Sequence, residues 1–465
     1  MPTNRTVRTN QVLLISYHYY PDPAVGSRRP TEFVKELVRQ GWKVDVLTAG
    51  MKERNERQPD GIGHVYRIKE LPDPVNGIWK LLRKLLRNKF LMARPTYENK
   101  STNSTEQMVL RKDVYVESDE TLLLKIRRYL LSYQALLSAK KIWFLICLFK
   151  ILQLRLQGKK YDLIITSSPP SVVNLLGMIA KRVFATKWMC DLRDPVIQWE
   201  HIYRECICDA RKWVENKLEE KYIATADKIT VTTPGLKKHI ESRWPADGPD
   251  EDRIQVIFNG YDAPQLFCTK HTKPTESLII IYAGSLYMNR NPLPFFEALR
   301  LLIESGGIQP DRLSVYFYGD CNTWNEINLC EWVNNHHLHE IVHFMGNVQV
   351  EKLHQVYSSA SLLLVFAQEQ PLQVPAKIFE YIPYSATILA ITEADSDTSN
   401  FLGANNLGVV SGPTQYEILT ALKSIHHQRN MPAPAGKNNL AKIKPRYSRA
   451  AQNRVFIELC KELAL

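Results

Sequence analysis

Lys377 and Glu380 are two charged residues whose spacing suggests a binding function. Residues three apart lie on one face of a helix. If that helix follows a strand of an open α/β sheet, its N-terminus lies at the edge where such sheets bind ligands. Free N–H groups and the positive end of the helix dipole suit an anion there, and a diphosphate is a plausible one. The alternative is a surface ion pair that contributes about 0.2–0.5 kcal/mol.

The surrounding residues predict the elements that would position this pair. An apolar run ends at Phe366 and is followed by the polar loop AQEQPLQ. Pro375 suits the first turn of a helix, and Pro383 should end it. The chain then reads ILAIT, which is typical of a buried strand. Strand, loop, helix and strand together form a βαβ unit.

The N-terminal half predicts a similar unit. A first strand, QVLLISY, leads into a loop that contains Gly26, then a helix through FVKELVRQ and a second strand, WKVDVLT. The loop lacks GxGxxG, so the pattern is weak evidence for an oxidoreductase cofactor. Gly26 either lets a ligand approach the backbone or serves the turn.

Further candidates lie at later strand ends of this half. The strand YDLIITSSPP ends in a turn where Ser168 could cap the next helix. Arg193 and Asp194 follow the strand KWMCDL, again at the ligand-binding edge. They could orient an acceptor and assist acid–base chemistry, or form a buried brace between arginine and a carboxylate. His18 and His201 have no partner that spacing identifies, which favours packing or surface positions.

The second half repeats the pattern, with the strand SLIIIYAGSL, Gly284, Arg290 and a helix. We therefore expect an α/β protein with two Rossmann-like, doubly wound domains facing across a cleft. The first would span residues 1–270, with a basic insertion at about 51–157. The second would span 271–444, after a linker at 263–275, and a last helix in 445–465 would follow.

The charge of the 465-residue chain is concentrated in one segment. Residues 51–160 contain 23 Lys/Arg and 11 Asp/Glu, which accounts for the whole net charge of +12. Within this segment, 78–94 has the pattern of a basic amphipathic helix, and 140–157 contains an apolar run too short to span a bilayer. Both could bind a membrane surface peripherally, or both could be core-facing helices. Basic residues that alternate with leucines argue against nucleic-acid binding.

Two further features limit the possibilities. No signal peptide is evident in the polar start MPTNRTVRTN, so we expect a cytoplasmic protein at the inner face of the membrane. The eight cysteines contain no CxxC pair, which favours reduced thiols and makes a zinc site improbable. Asp395-Ser396-Asp397 imitates a metal-binding DxD, but it follows a C-terminal strand and is not interpreted as a metal site.

The order of these motifs resembles glycosyltransferases of the GT-B type, within or near the large retaining family 4. The motifs are LLISYHYYPDPAVGSRR, YDLIITSSPP, DLRDP, ADKITVTTPGLKKHI with IFNGYD, IIYAGSLYMNRNP and VPAKIFEY. The resemblance covers nearly the whole chain except about 51–140. It implies a nucleotide-sugar bound chiefly by the C-terminal domain, an acceptor bound by the N-terminal domain, and a last helix that crosses back.

The resemblance also implies residue roles. Glu380 would bind the nucleotide ribose, and Arg290 and Lys377 would bind the diphosphate and stabilise it as it departs. Gly284 would let the backbone approach the phosphates, with Gly26 acting similarly on the facing domain. In retaining enzymes of this family the leaving phosphate is thought to act as the base. Neither a cofactor nor a metal is then required.

One position departs from the family pattern. A first glutamate, which normally addresses the transferred sugar, would stand eight residues before Glu380, and that residue is Leu372. The favoured function is transfer of a sugar to a lipid-linked or cell-surface glycan acceptor. Two alternatives remain: another GT-B enzyme, such as a sugar-nucleotide epimerase or a soluble disaccharide synthase, or a non-catalytic scaffold.

Overall fold

The computed structural model describes most of both halves of the chain. The described residues are 9–50, 62–70, 139–195, 209–243, 251–262, 277–287, 289–429 and 445–464. Three features of the sequence lie outside these ranges: His201, the segment 78–94 and the linker 263–275.

The first half forms a seven-stranded parallel sheet in the order β3-β2-β1-β4-β5-β6-β7. Its strands are β1 (Gln11–Ser16), β2 (Lys43–Ala49), β3 (Ile62–Ile68), β4 (Leu163–Ser168), β5 (Lys187–Leu192), β6 (Lys228–Val231) and β7 (Ile254–Val256). The chain reverses its direction of winding between β1 and β4. In open α/β sheets the carboxyl end of that junction is where ligands bind.

The second half repeats this topology with six parallel strands, in the order β12-β9-β8-β13-β14-β15. These are β8 (Leu278–Ala283), β9 (Leu313–Tyr318), β12 (Val342–Gly346), β13 (Leu362–Phe366), β14 (Thr387–Ile391) and β15 (Gly408–Ser411), while β10 (Thr323–Trp324) and β11 (Ile327–Asn328) form a separate hairpin. In chain order within this half the sheet reads 3-2-1-4-5-6, which is the Rossmann order. The predicted α/β class with two doubly wound sheets is confirmed.

Helices cover both faces of the two sheets. They are α1 (Arg28–Arg39), α2 (Ala139–Leu156), α3 (Val172–Phe184), α4 (Asp209–Thr225), α5 (Pro234–Ser242), α6 (Leu293–Glu304), α7 (Leu329–Asn335), α8 (Val350–Ser359), α9 (Ala376–Tyr381), α10 (Asp397–Asn405), α11 (Gln415–Arg429) and α12 (Arg449–Ala464). No helix among the described residues is both long enough and apolar enough to cross a membrane.

The apolar run in β1 shows why the strands are continuously hydrophobic. Val12 and Leu14 face a core that includes residues of α1 and α12, whereas Leu13 and Ile15 face a core that includes residues of α2 and α3. Strands covered on both faces bury every side chain, so alternation of polar and apolar residues is lost. This is the pattern from which β1 was predicted.

The last helix packs on the first sheet although the preceding helix, α11, belongs to the second half. The rings of Phe33 in α1 and Phe456 in α12 stack with their centroids 3.7 Å apart. The segment that leads into α12 runs beside the segment that leaves the first sheet after β7. The Tyr261 amide donates to the Tyr447 carbonyl at 3.2 Å, and the Arg449 amide donates to the Tyr261 carbonyl at 2.8 Å.

One local prediction was wrong. Ser168 does not cap α3, which begins at Val172 after Ser171. The Ser168 hydroxyl instead accepts a hydrogen bond from the Asn174 side chain at 3.0 Å. Two prolines extend the loop after β4, so the serine at the strand end is too far from the first helical turn to cap it.

We expect Phe456→Ala to destabilise the first domain by about 3–5 kcal/mol, because it removes a fully buried ring that packs on α1. The measurement is urea unfolding followed by circular dichroism. Val455→Ala is the matched control, since the Val455 side chain is 43% exposed, and its effect should stay within about 0.5 kcal/mol. Equal effects of the two substitutions would contradict the placement of α12.

Candidate active site

The predicted site residues follow strands at the carboxyl edge of each sheet, at or next to the junction where the winding direction changes. Gly26 lies in the loop after β1, and Asp194 follows β5. Gly284 and Arg290 follow β8, while Lys377 and Glu380 are in α9, after β13. These are the carboxyl ends of parallel strands, which is where doubly wound sheets bind ligands.

Glu380 is held between two cations. One carboxylate oxygen, Oε2, is 2.7 Å from the Lys377 ammonium, as their spacing predicted. The other, Oε1, is 2.9 Å from Nη1 of Arg28, the first residue of α1 in the opposite half. Arg28 was not predicted as a site residue, and the sequence signal for it is the pair of arginines that follows Gly26. The contact shows that the two halves meet at this site.

Two phenols complete the surroundings of this charged cluster. Lys377 donates a hydrogen bond to the hydroxyl of Tyr357 at 3.1 Å. Burial, together with the nearby Glu380 carboxylate, raises the pKa of Tyr384 to about 12 and shifts that of Tyr357 upward as well. Both phenols are therefore neutral at physiological pH, and the charge at this position comes from Arg28, Lys377 and Glu380.

Arg290 lies against the loop that contains Gly284. Its Nη1 donates to the Ser285 carbonyl at 3.2 Å, and its guanidinium carbon is 4.4 Å from the centre of the Tyr287 ring. Its Nε is buried with no hydrogen-bond partner among the described residues. A buried donor without a partner is uncommon in proteins. The role of Arg290 at the diphosphate stays a prediction.

Gly284 has a structural reason to be glycine. A Cβ there would lie 3.0 Å from the hydroxyl of Tyr282. In addition, a Cβ on Gly319 would lie 2.2 Å from the Gly284 carbonyl oxygen, so the two loops approach very closely. Close contact of Gly284 with phosphates stays a prediction, because the tight contact with Tyr282 only favours a glycine at this position, whereas the approach of the two loops requires a glycine at position 319.

Gly26 is required by Arg193. The Arg193 guanidinium donates to the carbonyls of Gly26, Ser168 and Pro169, and a Cβ on Gly26 would lie 3.0 Å from Nη1. Arg193 therefore fixes two loops through their main chains. Of the two interpretations of Arg193, the brace is the one observed, with the correction that its hydrogen-bond partners are carbonyls and not a carboxylate.

Asp194 reaches toward the second half. Its Oδ1 accepts a hydrogen bond at 2.6 Å from the side chain of Gln373, a residue that was not predicted. Burial raises the pKa of Asp194, and the neighbouring Arg193 and the Gln373 bond offset only part of this effect. A carboxyl group with a raised pKa suits acid–base chemistry near neutral pH. The catalytic role of Asp194 stays a prediction.

The loop that lacks the expected glutamate is docked on the first half. The Leu372 carbonyl accepts from the Thr233 hydroxyl at 2.8 Å, and Thr398 donates to the Gln373 carbonyl at 2.8 Å. Gln373, adjacent to Leu372, is thus fixed by both its main chain and its side chain. It is the polar side chain that this loop presents between the two halves.

His18 does have a partner, contrary to the expectation from spacing. Its Nδ1 lies 2.6 Å from a carboxylate oxygen of Asp22 in the loop after β1. Burial tends to raise the pKa of Asp22, but the hydrogen bonds from His18 and the Ala24 amide lower it overall. A separation of four residues predicts a contact on a helix but not in a loop such as this one. The pair places the imidazole ring of His18 beside Gly26.

The DxD-like residues serve the contact between the halves. Asp397 Oδ1 accepts from the Gly235 amide at 3.0 Å, and the Ser396 hydroxyl caps α10. No group of three or more His, Cys, Asp or Glu in the described part of the chain could hold a metal ion. Metal independence and the absence of a cofactor stay predictions.

Known proteins match this chain in fold but not detectably in sequence. No protein-family model and no curated protein sequence matches it. Among solved structures, sucrose-phosphate synthase from Thermosynechococcus elongatus is similar, with a TM-score of 0.57, 16% identity and coverage of 98% of this chain and 99% of that one. HepE from Anabaena, in complex with UDP, has a TM-score of 0.55, 12% identity and coverage of 97% and 100%.

A third similar structure is the lipopolysaccharide outer core galactosyltransferase WaaB, with a TM-score of 0.52, 10% identity and coverage of 97% and 99%. Such low identities establish the fold alone. The fold of this chain is GT-B, as the resemblance implied. Membership of family 4 and retention of configuration stay predictions.

We expect Asp194→Asn to raise the melting temperature at pH 7 and to leave it unchanged at about pH 3. The raised pKa of Asp194 means that its proton is bound more tightly in the folded state, which stabilises the protein below the usual aspartate pKa. That stabilisation is lost as the pH rises through the raised pKa, and an asparagine does not lose it. The measurement is thermal unfolding across this pH range.

Asp311→Asn is the control for this prediction, because the Asp311 side chain is exposed. Asp311→Asn should leave the melting temperature close to the wild-type value at both ends of the range. A lower melting temperature of Asp194→Asn at pH 7 would show that the ionised carboxylate stabilises the fold.

Proposed function

We propose that this protein is a glycosyltransferase that transfers a sugar from a nucleotide-sugar to a lipid-linked or cell-surface glycan acceptor. The observation that carries the proposal is Glu380, a carboxylate paired with Lys377 and Arg28 where the two sheet domains of a GT-B fold meet. The HepE structure, which shares this fold, holds UDP. A hexosyltransferase is the kind of enzyme that fits best.

The chemistry follows from the charges. As the nucleoside diphosphate leaves, negative charge grows on its phosphate oxygens, and preformed cations stabilise such charge most effectively. Lys377 and Arg290 supply these cations in the proposed reaction. Each Glu380 oxygen has a further lone pair, so the carboxylate can also accept hydrogen bonds from the ribose hydroxyls. The resemblance to family 4 suggests retention of configuration.

Asp194 and Gln373 fit a role at the acceptor or the transferred sugar. A carboxyl group and an amide are the groups with which proteins commonly bind sugar hydroxyls, and this pair bridges the two domains. Leu372 cannot make the polar contact that the family's first glutamate makes. The presence of Leu372 at this position is what keeps the non-catalytic scaffold as an alternative. Turnover of a small soluble acceptor would instead favour an epimerase or a disaccharide synthase.

The outer face of α2 supports action at a lipid surface. Trp143, Cys147, Ile151 and Leu154 bury one face of this helix. On the opposite face Phe149 is 70% exposed and Leu156 is 89% exposed, and Leu145 and Leu152 are exposed on the same face. The helix belongs to the segment that carries the entire net positive charge of the chain. Apolar side chains beside basic ones suit peripheral contact with anionic lipid at the cytoplasmic face.

We expect at least one nucleotide-sugar to raise the melting temperature in a thermal-shift panel. At a ligand concentration 100 times the dissociation constant, binding stabilises the folded protein by about 2.7 kcal/mol. Glu380→Ala should abolish most of this effect, and calorimetry should show the loss of nucleoside-diphosphate binding. The matched control is Glu220→Ala, because Glu220 forms the same i,i+3 pair with Lys217 at the same distance, 2.7 Å, on the surface of α4.

Two outcomes would contradict the proposal. If no nucleoside diphosphate or nucleotide-sugar binds the wild-type protein, the donor assignment is wrong. If a donor binds but neither hydrolysis nor transfer is detectable with any acceptor, the scaffold alternative is favoured. Slow hydrolysis of a nucleotide-sugar without an acceptor would exclude that alternative.

We expect the wild-type protein to sediment with vesicles of phosphatidylglycerol and phosphatidylcholine. The double variant Phe149→Glu, Leu156→Glu should bind these vesicles at least about tenfold more weakly, because two exposed apolar side chains become acidic. Tyr416→Glu is the control, because Tyr416 is 62% exposed on α11 in the second domain. Unchanged sedimentation of the double variant would contradict lipid contact through α2.

A further inference from the structure

Arg28 projects from a rigid part of the first domain. The next residue, Arg29, is buried and donates through Nε and Nη2 to the Asp191 carboxylate, with distances of 2.8–3.2 Å. Its Nη1 donates to the Ile257 and Phe258 carbonyls. The start of α1 is therefore fixed to the sheet. Arg28 leaves this fixed point toward the second domain, where it contacts Glu380.

Arg28 brings positive charge that the site does not need for its own neutrality. Glu380 already has a partner in Lys377, at 2.7 Å. Two cations around one carboxylate leave an excess of one positive charge. An ion pair that only joined the domains would contribute little to stability at this exposure. The excess charge favours an anionic ligand.

The geometry of the guanidinium allows it to bind such a ligand while it keeps Glu380. An arginine has five N–H donors on three nitrogens, and only Nη1 contacts Glu380. Nε and Nη2 make no hydrogen bond with the described residues, and the side chain is 47% exposed. The planar fork of arginine matches two phosphate oxygens, so these donors suit a diphosphate.

We propose that Arg28 is a donor-binding residue contributed by the first domain, which contacts Glu380 through Nη1 and the diphosphate of the nucleotide-sugar through Nε and Nη2. This inference rests on the proposed function, and it assigns to the facing domain a direct part in holding the donor. The diphosphate would then be bound from both domains, by Arg28 on one side of the cleft and by Lys377 and Arg290 on the other. Its binding would therefore depend on closure of the two domains.

The test compares ligands with and without the diphosphate. Binding of UDP and of uridine is measured by calorimetry for the wild-type protein and for Arg28→Gln, Arg28→Lys and Arg39→Gln. If the nucleotide-sugar panel identifies a donor with another base, the corresponding nucleoside diphosphate and nucleoside replace UDP and uridine. Arg28→Gln should raise the Kd for UDP at least tenfold, about 1.4 kcal/mol, and change the Kd for uridine less than twofold. Arg28→Lys should be intermediate, because it keeps the charge and loses the fork.

Arg39→Gln is the matched control, since Arg39 is an exposed arginine of the same helix whose ion pair with Glu36 is local. It should bind both ligands as the wild type does. Equal weakening of UDP and uridine by Arg28→Gln would indicate a purely structural effect and would overturn the inference, as would unchanged UDP binding. If UDP and every other diphosphate fail to bind the wild-type protein, the proposed function itself is wrong.

Discussion

The buried ion pair between Arg29 and Asp191 is the interaction on which the arrangement of the site depends. Asp191 is the penultimate residue of β5, in the interior of the sheet domain. Its carboxylate also accepts hydrogen bonds from the hydroxyls of Ser167 and Thr230 at 2.8 and 2.7 Å. Burial alone would raise the pKa of Asp191, but Arg29 and these hydroxyls lower it below its usual range. The charge is thus fully compensated, and removal of either partner would leave an uncompensated buried charge.

This network separates structural from functional residues within short stretches of sequence. Arg29 and Asp191 are anchored inside, and their near neighbours Arg28 and Asp194 extend to the contact with the second domain. Arg193, which lies between Asp191 and Asp194 in the sequence, donates hydrogen bonds to main-chain carbonyls that follow β1 and β4. A flexible loop would lose conformational entropy on binding a ligand, whereas side chains that leave fixed backbones bind at a lower entropic cost.

The parts of this structure that sequence could predict are local. Hydrophobic runs and βαβ order follow from neighbours in the chain, and the Lys377–Glu380 pair follows from helical spacing. The Arg28–Glu380 contact joins residues 352 positions apart, and the Arg193–Gly26 contact joins residues 167 apart. No periodicity connects residues at such separations, because only the packing of complete elements brings them together. His18 and Asp22 are only four residues apart, but they lie in a loop, where this spacing does not predict a contact.

The two segments that connect the domains meet side by side, at Tyr261 and Ser448. The outgoing segment follows β7, and the returning segment leads into α12, so both are anchored on the first sheet within a few residues of this bridge. Hydrogen bonds join the two segments here, so they cannot move independently when the angle between the domains changes. Two joined crossings therefore oppose twisting of one domain relative to the other more strongly than a single crossing would.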